Sequence, residues 1–95
     1  MTFSMRVEPG GVVHLSGRLD ASEADGAIDR LETITGPMTL DCSNLEYISS
    51  AGLSVVLVTH KRLLASGHAL RLTNLQPRVR NVFTYAGMHR ILRIE

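Results

Sequence analysis

Cysteine occurs once in this chain of 95 residues, at Cys42, so no disulfide framework within the chain can hold its fold together. Set in an apolar run, that residue reads as a buried strand thiol, and the natural compartment as a reducing one. Tryptophan is absent and aromatic residues make up only 4% of the chain, which leaves Leu, Val, Ile, Ala and Met to build the core. An apolar share of 44% argues against disorder. Long apolar runs are also missing. The longest, Val55-Val56-Leu57-Val58, falls far short of the roughly 20 residues that a membrane-spanning helix needs. No basic-then-apolar leader opens the chain, so it is expected to be cytoplasmic. Its length suits a single domain over residues 1–95.

Catalytic signatures are equally scarce. The four histidines, His14, His60, His68 and His89, have no metal-ligand spacing among themselves or with Cys42, so neither a metal nor any other cofactor is expected. His60, set among leucines, reads as a structural histidine. There is no G-x-x-x-x-G-K-[ST], no G-x-G-x-x-G and no G-x-S-x-G, which leaves a nucleotide cradle or a nucleophile elbow without support. Asp20 and Asp41 could approach each other at strand ends as an acid–base pair, although acids there more often cap helices and turns.

The net charge of +1 conceals an asymmetry. Residues 1–60 hold three Arg against eight acids, a balance of −5, and residues 61–95 hold seven Lys or Arg against Glu95, a balance of +6. The basic residues alternate with apolar ones and form no run. They read as a solvated surface, or as a docking surface for an acidic protein partner, rather than as a nucleic-acid site.

Residues 3–7 and 12–16 are short apolar segments separated by Glu8-Pro9-Gly10-Gly11, and Pro followed by Gly marks a type II turn, so a β-hairpin is predicted. Asp20 followed three residues later by Glu23 has the form of a capping box. Ala24, Ala27, Ile28 and Leu31 then recur at helical spacing, with Glu23, Asp25, Asp29, Arg30 and Glu32 elsewhere around the helix, which gives it a wet acidic face. Gly36-Pro37 stops this helix, and residues 38–42 read as the next strand. A second helix should run from the serines to Ala65 with Leu53, Val56, Leu57, His60 and Leu64 on one face, broadened by Val55 and Val58. Residues 69–73 alternate as a strand. Pro77 opens a third helix with Val79, Val82, Phe83 and Ala86 inward, Gly87 ends it, and residues 91–94 are short enough for an edge strand. The fold class is therefore α/β: a mixed sheet in which an N-terminal hairpin is followed by alternating helices and strands.

Ser49 and Ser50 fall where a strand gives way to the second helix. A serine there caps the helix by accepting a bond from one of its first N–H groups. The remaining N–H groups and the positive end of the macrodipole would house a phosphate esterified to Ser50. Gly52 would let a phosphate or a partner's backbone come close. In such sheets ligands gather where strands end and helices begin, which holds for Ser50 and equally for Asp20.

Leu40-Asp41-Cys42-Ser43-Asn44-Leu45-Glu46-Tyr47-Ile48-Ser49-Ser50-Ala51-Gly52-Leu53-Ser54-Val55-Val56-Leu57 closely resembles the phosphorylation motif of STAS-domain proteins, in particular bacterial anti-sigma-factor antagonists. Leu15-Ser16-Gly17-Arg18-Leu19-Asp20-Ala21 resembles the family's other signature, and the likeness extends over essentially the whole chain. It implies a single STAS domain, monomeric when free, with Ser50 as the phosphorylated residue. Ser49 stands where the family commonly has Asp and is a second candidate acceptor. Asp20, Ser49, Ser50, Ala51, Gly52 and Leu53 are the implied docking patch. The implied partners are an anti-sigma factor that is itself a serine kinase, bound only by the unphosphorylated form, and a serine phosphatase that resets the switch. No catalysis, nucleic-acid binding or membrane insertion is implied. Two other readings stand beside this one: a STAS subunit docked permanently in a membrane lipid-transport (ABC) complex, and a hydrolase using Ser50.

Overall fold

The computed structural model describes residues 2–95. Strands β1 (Ser4–Glu8) and β2 (Val12–Leu19) form the predicted hairpin, antiparallel, with Glu8 opposite Val12 across the turn. Gly10 takes φ +92°, the positive value that a glycine after proline supplies in this kind of turn. Helix α1 (Ala21–Leu31), strand β3 (Met38–Ile48), helix α2 (Ser50–Ala65), strand β4 (Leu70–Thr73), helix α3 (Pro77–Tyr85), a 3-10 turn (Met88–Arg90) and strand β5 (Arg93–Ile94) follow. The sheet order is β1-β2-β3-β4-β5, and every pair after the hairpin is parallel.

Right-handed crossovers between strands taken in this order put all three helices on one face of the sheet. A single apolar core accordingly joins Ala27 and Leu31 of α1, Val55, Val56 and Leu63 of α2, and Val79 and Phe83 of α3 to Val13, Leu15, Leu40, Cys42 and Leu72 of the strands. Phe83, fully buried, is the one aromatic side chain among the buried core residues. Arg62 of α2 donates to Leu31 O and Ile34 O at 2.9 and 3.1 Å, so part of the basic half serves to satisfy the end of α1. Arg71 is likewise taken up by Glu95, at 2.6 Å.

Two strands run further than their sequences suggest. β2 continues through Gly17-Arg18-Leu19, and β3 continues past Cys42, the expected end of that strand, to Ile48. The reason is a pair of bulges. Between His14 and Ser16 of β2 the partner on β3 advances from Asp41 to Asn44, and between Gly17 and Arg18 it advances from Leu45 to Tyr47. Each step gives β3 one extra residue. Its buried residues therefore change spacing from two (Met38, Leu40, Cys42) to three (Leu45, Ile48), and Glu46 and Tyr47 are left outside.

α2 presents a face different from the expected one. Gly52, Val55, Val56, Thr59 and Leu63 are buried, Leu53, Leu57 and His60 are half-buried, and Val58 and Leu64 are exposed. Thr59 is tolerated inside because its hydroxyl donates to Val55 O at 2.8 Å, one turn back. In α3, Val79 and Phe83 point inward as expected, but Val82 is half-buried and Ala86, past the helix end, is exposed. The last strand is only two residues long, because the 3-10 turn takes up part of the tail.

Candidate functional site

The starts of α1 and α2 stand side by side at the C-terminal edge of β2 and β3. Leu19 pairs with Ile48, and the Ser49 N–H donates to Leu19 O at 3.0 Å, which fixes the residue before α2 next to the residue before Asp20. Asp20 is the N-cap of α1. Its Oδ1 accepts from the Ser22 amide at 3.1 Å and the Ser22 hydroxyl at 2.7 Å. The hydrogen bond from the Ser22 hydroxyl, reinforced by the Ser22 and Glu23 amides and the charge of Arg18, holds the Asp20 carboxyl below the usual carboxylate range. The capping box is left incomplete. Glu23 gives its amide to Asp20 O at 3.1 Å, while among the described residues its side chain makes no bond back to the Asp20 amide.

At α2 the two serines divide the work. Ser49 is the N-cap, with extended backbone (φ −92°, ψ 176°) and its Oγ accepting from the Gly52 amide at 3.2 Å. Ser50 is the first helical residue and is exposed. Among the described residues its hydroxyl makes no hydrogen bond, while its carbonyl accepts from the Ser54 hydroxyl at 3.2 Å. The first turn of α2 carries no acid, so nothing of the helix's own offsets the positive end of its dipole. Ser50 therefore combines an open, unengaged oxygen with a local field that favours added negative charge.

The remaining members of the predicted patch are less open. Asp20, Ser49, Ala51 and Leu53 are half-buried, and Ala51 and Leu53 pack on the core. Gly52 is buried, and a Cβ there would lie 2.6 Å from both Leu19 O and Ile48 Cγ1. The space its missing side chain leaves is filled from within, by the end of β2, and is not available to a phosphate or to another chain. This corrects the reason first given for a glycine at that position.

Asp20 and Asp41 do not meet. Asp41 lies opposite His14, well up the strand from the Leu19–Ile48 pair, and turns to a different set of partners. Cys42 is fully buried, and burial pushes its thiol up to about 12, as suits an unreactive core residue. Among the described residues no three His, Cys, Asp or Glu side chains come together as a metal ion would need. Among the described residues no helix is long and apolar enough to cross a membrane.

Two residues flanking the site escaped the sequence reading. The Arg18 guanidinium stacks over the Tyr47 ring, 4.0 Å from its centroid, with each residue two positions before a helix-capping residue. Only the shifted register that sets Arg18 opposite Tyr47 brings them together, and no local pattern announces it. Beyond Tyr47, Glu46 joins Gln76, Pro77, Arg78 and Asn81 in lining an open polar cleft of about 600 Å³ at the start of α3.

The comparisons with known proteins bear on the family and the fold. The family model of the STAS domain matches residues 3–95. BtrV of Bordetella bronchiseptica, described as an anti-sigma factor antagonist, is 48% identical over 50 residues. That stretch covers 53% of this chain and 43% of BtrV, so less than half of the relative's length is matched. A Thermotoga maritima protein described as an anti-sigma factor antagonist superposes with a TM-score of 0.81 at 23% identity, over 97% of this chain and 84% of that one. The anti-sigma factor antagonist SpoIIAA in its unphosphorylated form superposes at 0.72 with 20% identity, over 99% and 87% of the two chains. The phosphorylated form of SpoIIAA, described as a Bacillus cell fate determinant, gives 0.71 and 20%, over 99% and 91%. At these identities the solved structures speak for the fold.

Proposed function

The chain belongs to the STAS-domain family, and from that premise we propose that it is an anti-sigma-factor antagonist switched by phosphorylation of Ser50. Unphosphorylated, it binds an anti-sigma factor that is itself a serine kinase and thereby frees a sigma factor. Phosphorylated, it lets go, and a serine phosphatase restores it. The domain acts in the cytoplasm by binding and carries no catalysis of its own.

The observation that carries this reading is the state of the Ser50 hydroxyl: exposed, without a hydrogen-bond partner among the described residues, and seated at the first position of a helix with no acid in its first turn. Ser49 is the poorer acceptor, because the residue is half-buried and its Oγ is already engaged as the cap. A phosphate on Ser50 would bring about −1.5 to −2 charges to the positive end of α2, where such charge is stabilising. Loss of binding therefore arises at the interface, through bulk, desolvation and repulsion from acids on the partner's side, while the domain stays folded. Asp20, held ionised next to the site, sharpens the sensitivity of this edge to added negative charge.

Three forms of the chain test the proposal. Ser50→Ala should keep the partner and take no phosphate from the kinase, and Ser50→Asp should weaken the complex without unfolding the domain. Phosphate entering Ser50→Ala as readily as the wild type would overturn the assignment of the site. Recovery of an ABC permease complex that is indifferent to both substitutions would favour the transport reading instead.

A further inference from the structure

Most of the arginines are engaged within the chain itself. Arg6 is bonded to Glu8, Arg30 to Met5 O, Arg62 to the end of α1 and Arg71 to Glu95. Arg18 differs from these. It is exposed, and among the described residues its guanidinium makes no hydrogen bond and no ion pair, yet it is held in one place, 4.0 Å from the centroid of the Tyr47 ring. We propose that Arg18 is the residue by which this rim selects its partner: the anti-sigma-factor kinase sets a carboxylate of its own against the Arg18 guanidinium, and Tyr47 is the positioning residue that keeps the guanidinium ready for it. The inference rests on the reading of the chain as an anti-sigma-factor antagonist and adds the chemistry that the partner must present.

Strand register places the pair. Leu19 and Ile48, opposite each other at the ends of β2 and β3, are buried in the core. Side chains alternate along a strand, so Arg18 and Tyr47, the pair before them, stand on the sheet face turned away from the helices, and both are exposed there. They border the edge that carries Asp20, Ser49 and Ser50. Asp20, the acid nearest to Arg18 along the chain, feels it through charge alone, without a contact between the two side chains. The Asp20 Oδ1 is engaged by Ser22, and its Oδ2 has no bond among the described residues.

The stack determines what Arg18 can still do. A guanidinium lying over a ring uses its flat face, and the N–H donors around its rim stay free for the two oxygens of a carboxylate. Holding the side chain there in advance lowers the entropy lost on binding. Arg and Tyr are also the side chains that most often dominate protein interfaces. A nucleic-acid strand is the wrong occupant, because it would bring a row of phosphates to one cation bordered by Asp20 and by the exposed Glu46. A partner that offers a single carboxylate to Arg18 and a donor to Asp20 meets both charges. The same carboxylate would stand at the rim where a phosphate on Ser50 arrives, and it supplies a group for that phosphate to repel.

Calorimetric titration of the purified kinase into the whole chain and its variants, each checked for an unchanged melting temperature, tests this. Arg18→Glu should weaken binding about tenfold or more. Arg90→Glu makes the same charge change on an exposed residue of the turn before β5, at the other end of the parallel strands, and should stay within about twofold of the wild type. Tyr47→Leu should lose about two- to fivefold, the worth of a cation–π contact at an exposed site, and Tyr47→Phe, which keeps the ring, should bind as the wild type does. Arg18→Glu or Tyr47→Leu binding as the wild type does, or an equal loss in Arg90→Glu, would overturn the inference. So would binding of a short DNA duplex that Arg18→Glu abolishes. Ser50→Asp, titrated beside them, separates the two readings: if it weakens binding while Arg18→Glu does not, the switch stands and the role of Arg18 falls, and if only Arg18→Glu weakens binding, the switch falls and the docking role of Arg18 stands.

Discussion

Replacing Gly52 by alanine should destabilise the domain even though alanine is the better helix former. A Cβ at this position would stand 2.6 Å from Leu19 O, 2.6 Å from Ile48 Cγ1 and 3.0 Å from Leu19 Cγ. Ile48 can turn part of its side chain aside, but Leu19 O is backbone and already accepts the Ser49 N–H at 3.0 Å. Relief therefore requires α2 to move away from β2 and to stretch that bond. Overpacking of this kind costs about 1–3 kcal/mol. Against it stands a gain of up to about 1 kcal/mol from exchanging Gly for Ala in a helix, which leaves a net loss of roughly 0–3 kcal/mol. For a domain of this size each kcal/mol moves the melting temperature by about 4–8 °C. Gly26 provides the control. It lies inside α1, is exposed, and a Cβ built there meets nothing within 4 Å. Gly26→Ala should therefore stabilise by about 0.5–1 kcal/mol. Urea titrations of the two variants against the wild type should move the midpoint in opposite directions. If Gly52→Ala is as stable as Gly26→Ala, the close approach of α2 to the end of β2 is not what fixes Ser49 and Ser50 at the rim.

The serines should separate in the same assay. Ser49→Ala removes the oxygen that accepts from the Gly52 amide and should cost about 0.5–1 kcal/mol, whereas Ser50→Ala, removing a hydroxyl without a partner among the described residues, should stay within about 0.5 kcal/mol of the wild type. Equal losses from both would mean that the division of roles between them is wrong. Stability should also fall in acid. Glu8, Asp20 and Asp41 all have folded-state carboxyls held below their ordinary values of 4.5, 3.8 and 3.8, so the unfolded chain takes up their protons first as pH drops. Their contribution is complete above those ordinary values and is lost as pH falls through the lower folded ones. Urea midpoints that rise as pH is lowered from about 5 to about 3 would contradict this.

What could be read in the sequence was whatever local chemistry dictates. Pro9-Gly10 made the hairpin turn, Asp20 capped α1, Ser49 and Ser50 opened α2, and Pro77 opened α3. Elements whose pattern depends on a neighbour were read less well. β3 was cut short because its two bulges replace a spacing of two by a spacing of three, which no alternation rule detects. The inward face of α2 was misjudged because that helix is apolar almost all round, and only the sheet beneath it decides that Val55 and Leu63 go in while Val58 and Leu64 stay out. The candidate site shows the same division. The exposure of Ser50 follows from its place at a helix start, but the Arg18–Tyr47 stack and the contacts of His14 exist only through strand register. Gly52 was singled out correctly as a close-contact position, but the contact it serves is internal.

The measurement that bears most directly on the central claim is the affinity of the chain for the proposed anti-sigma-factor kinase with and without one phosphoryl group on Ser50, made on protein whose intact mass and melting temperature have been checked. The account predicts that the phosphorylated form melts no lower than the unmodified one, because the added charge sits at the positive end of α2, yet binds about tenfold more weakly or worse, a loss of roughly 1.4 kcal/mol or more. Equal affinity of the two forms, or a phosphorylated form that has lost its fold, would contradict it.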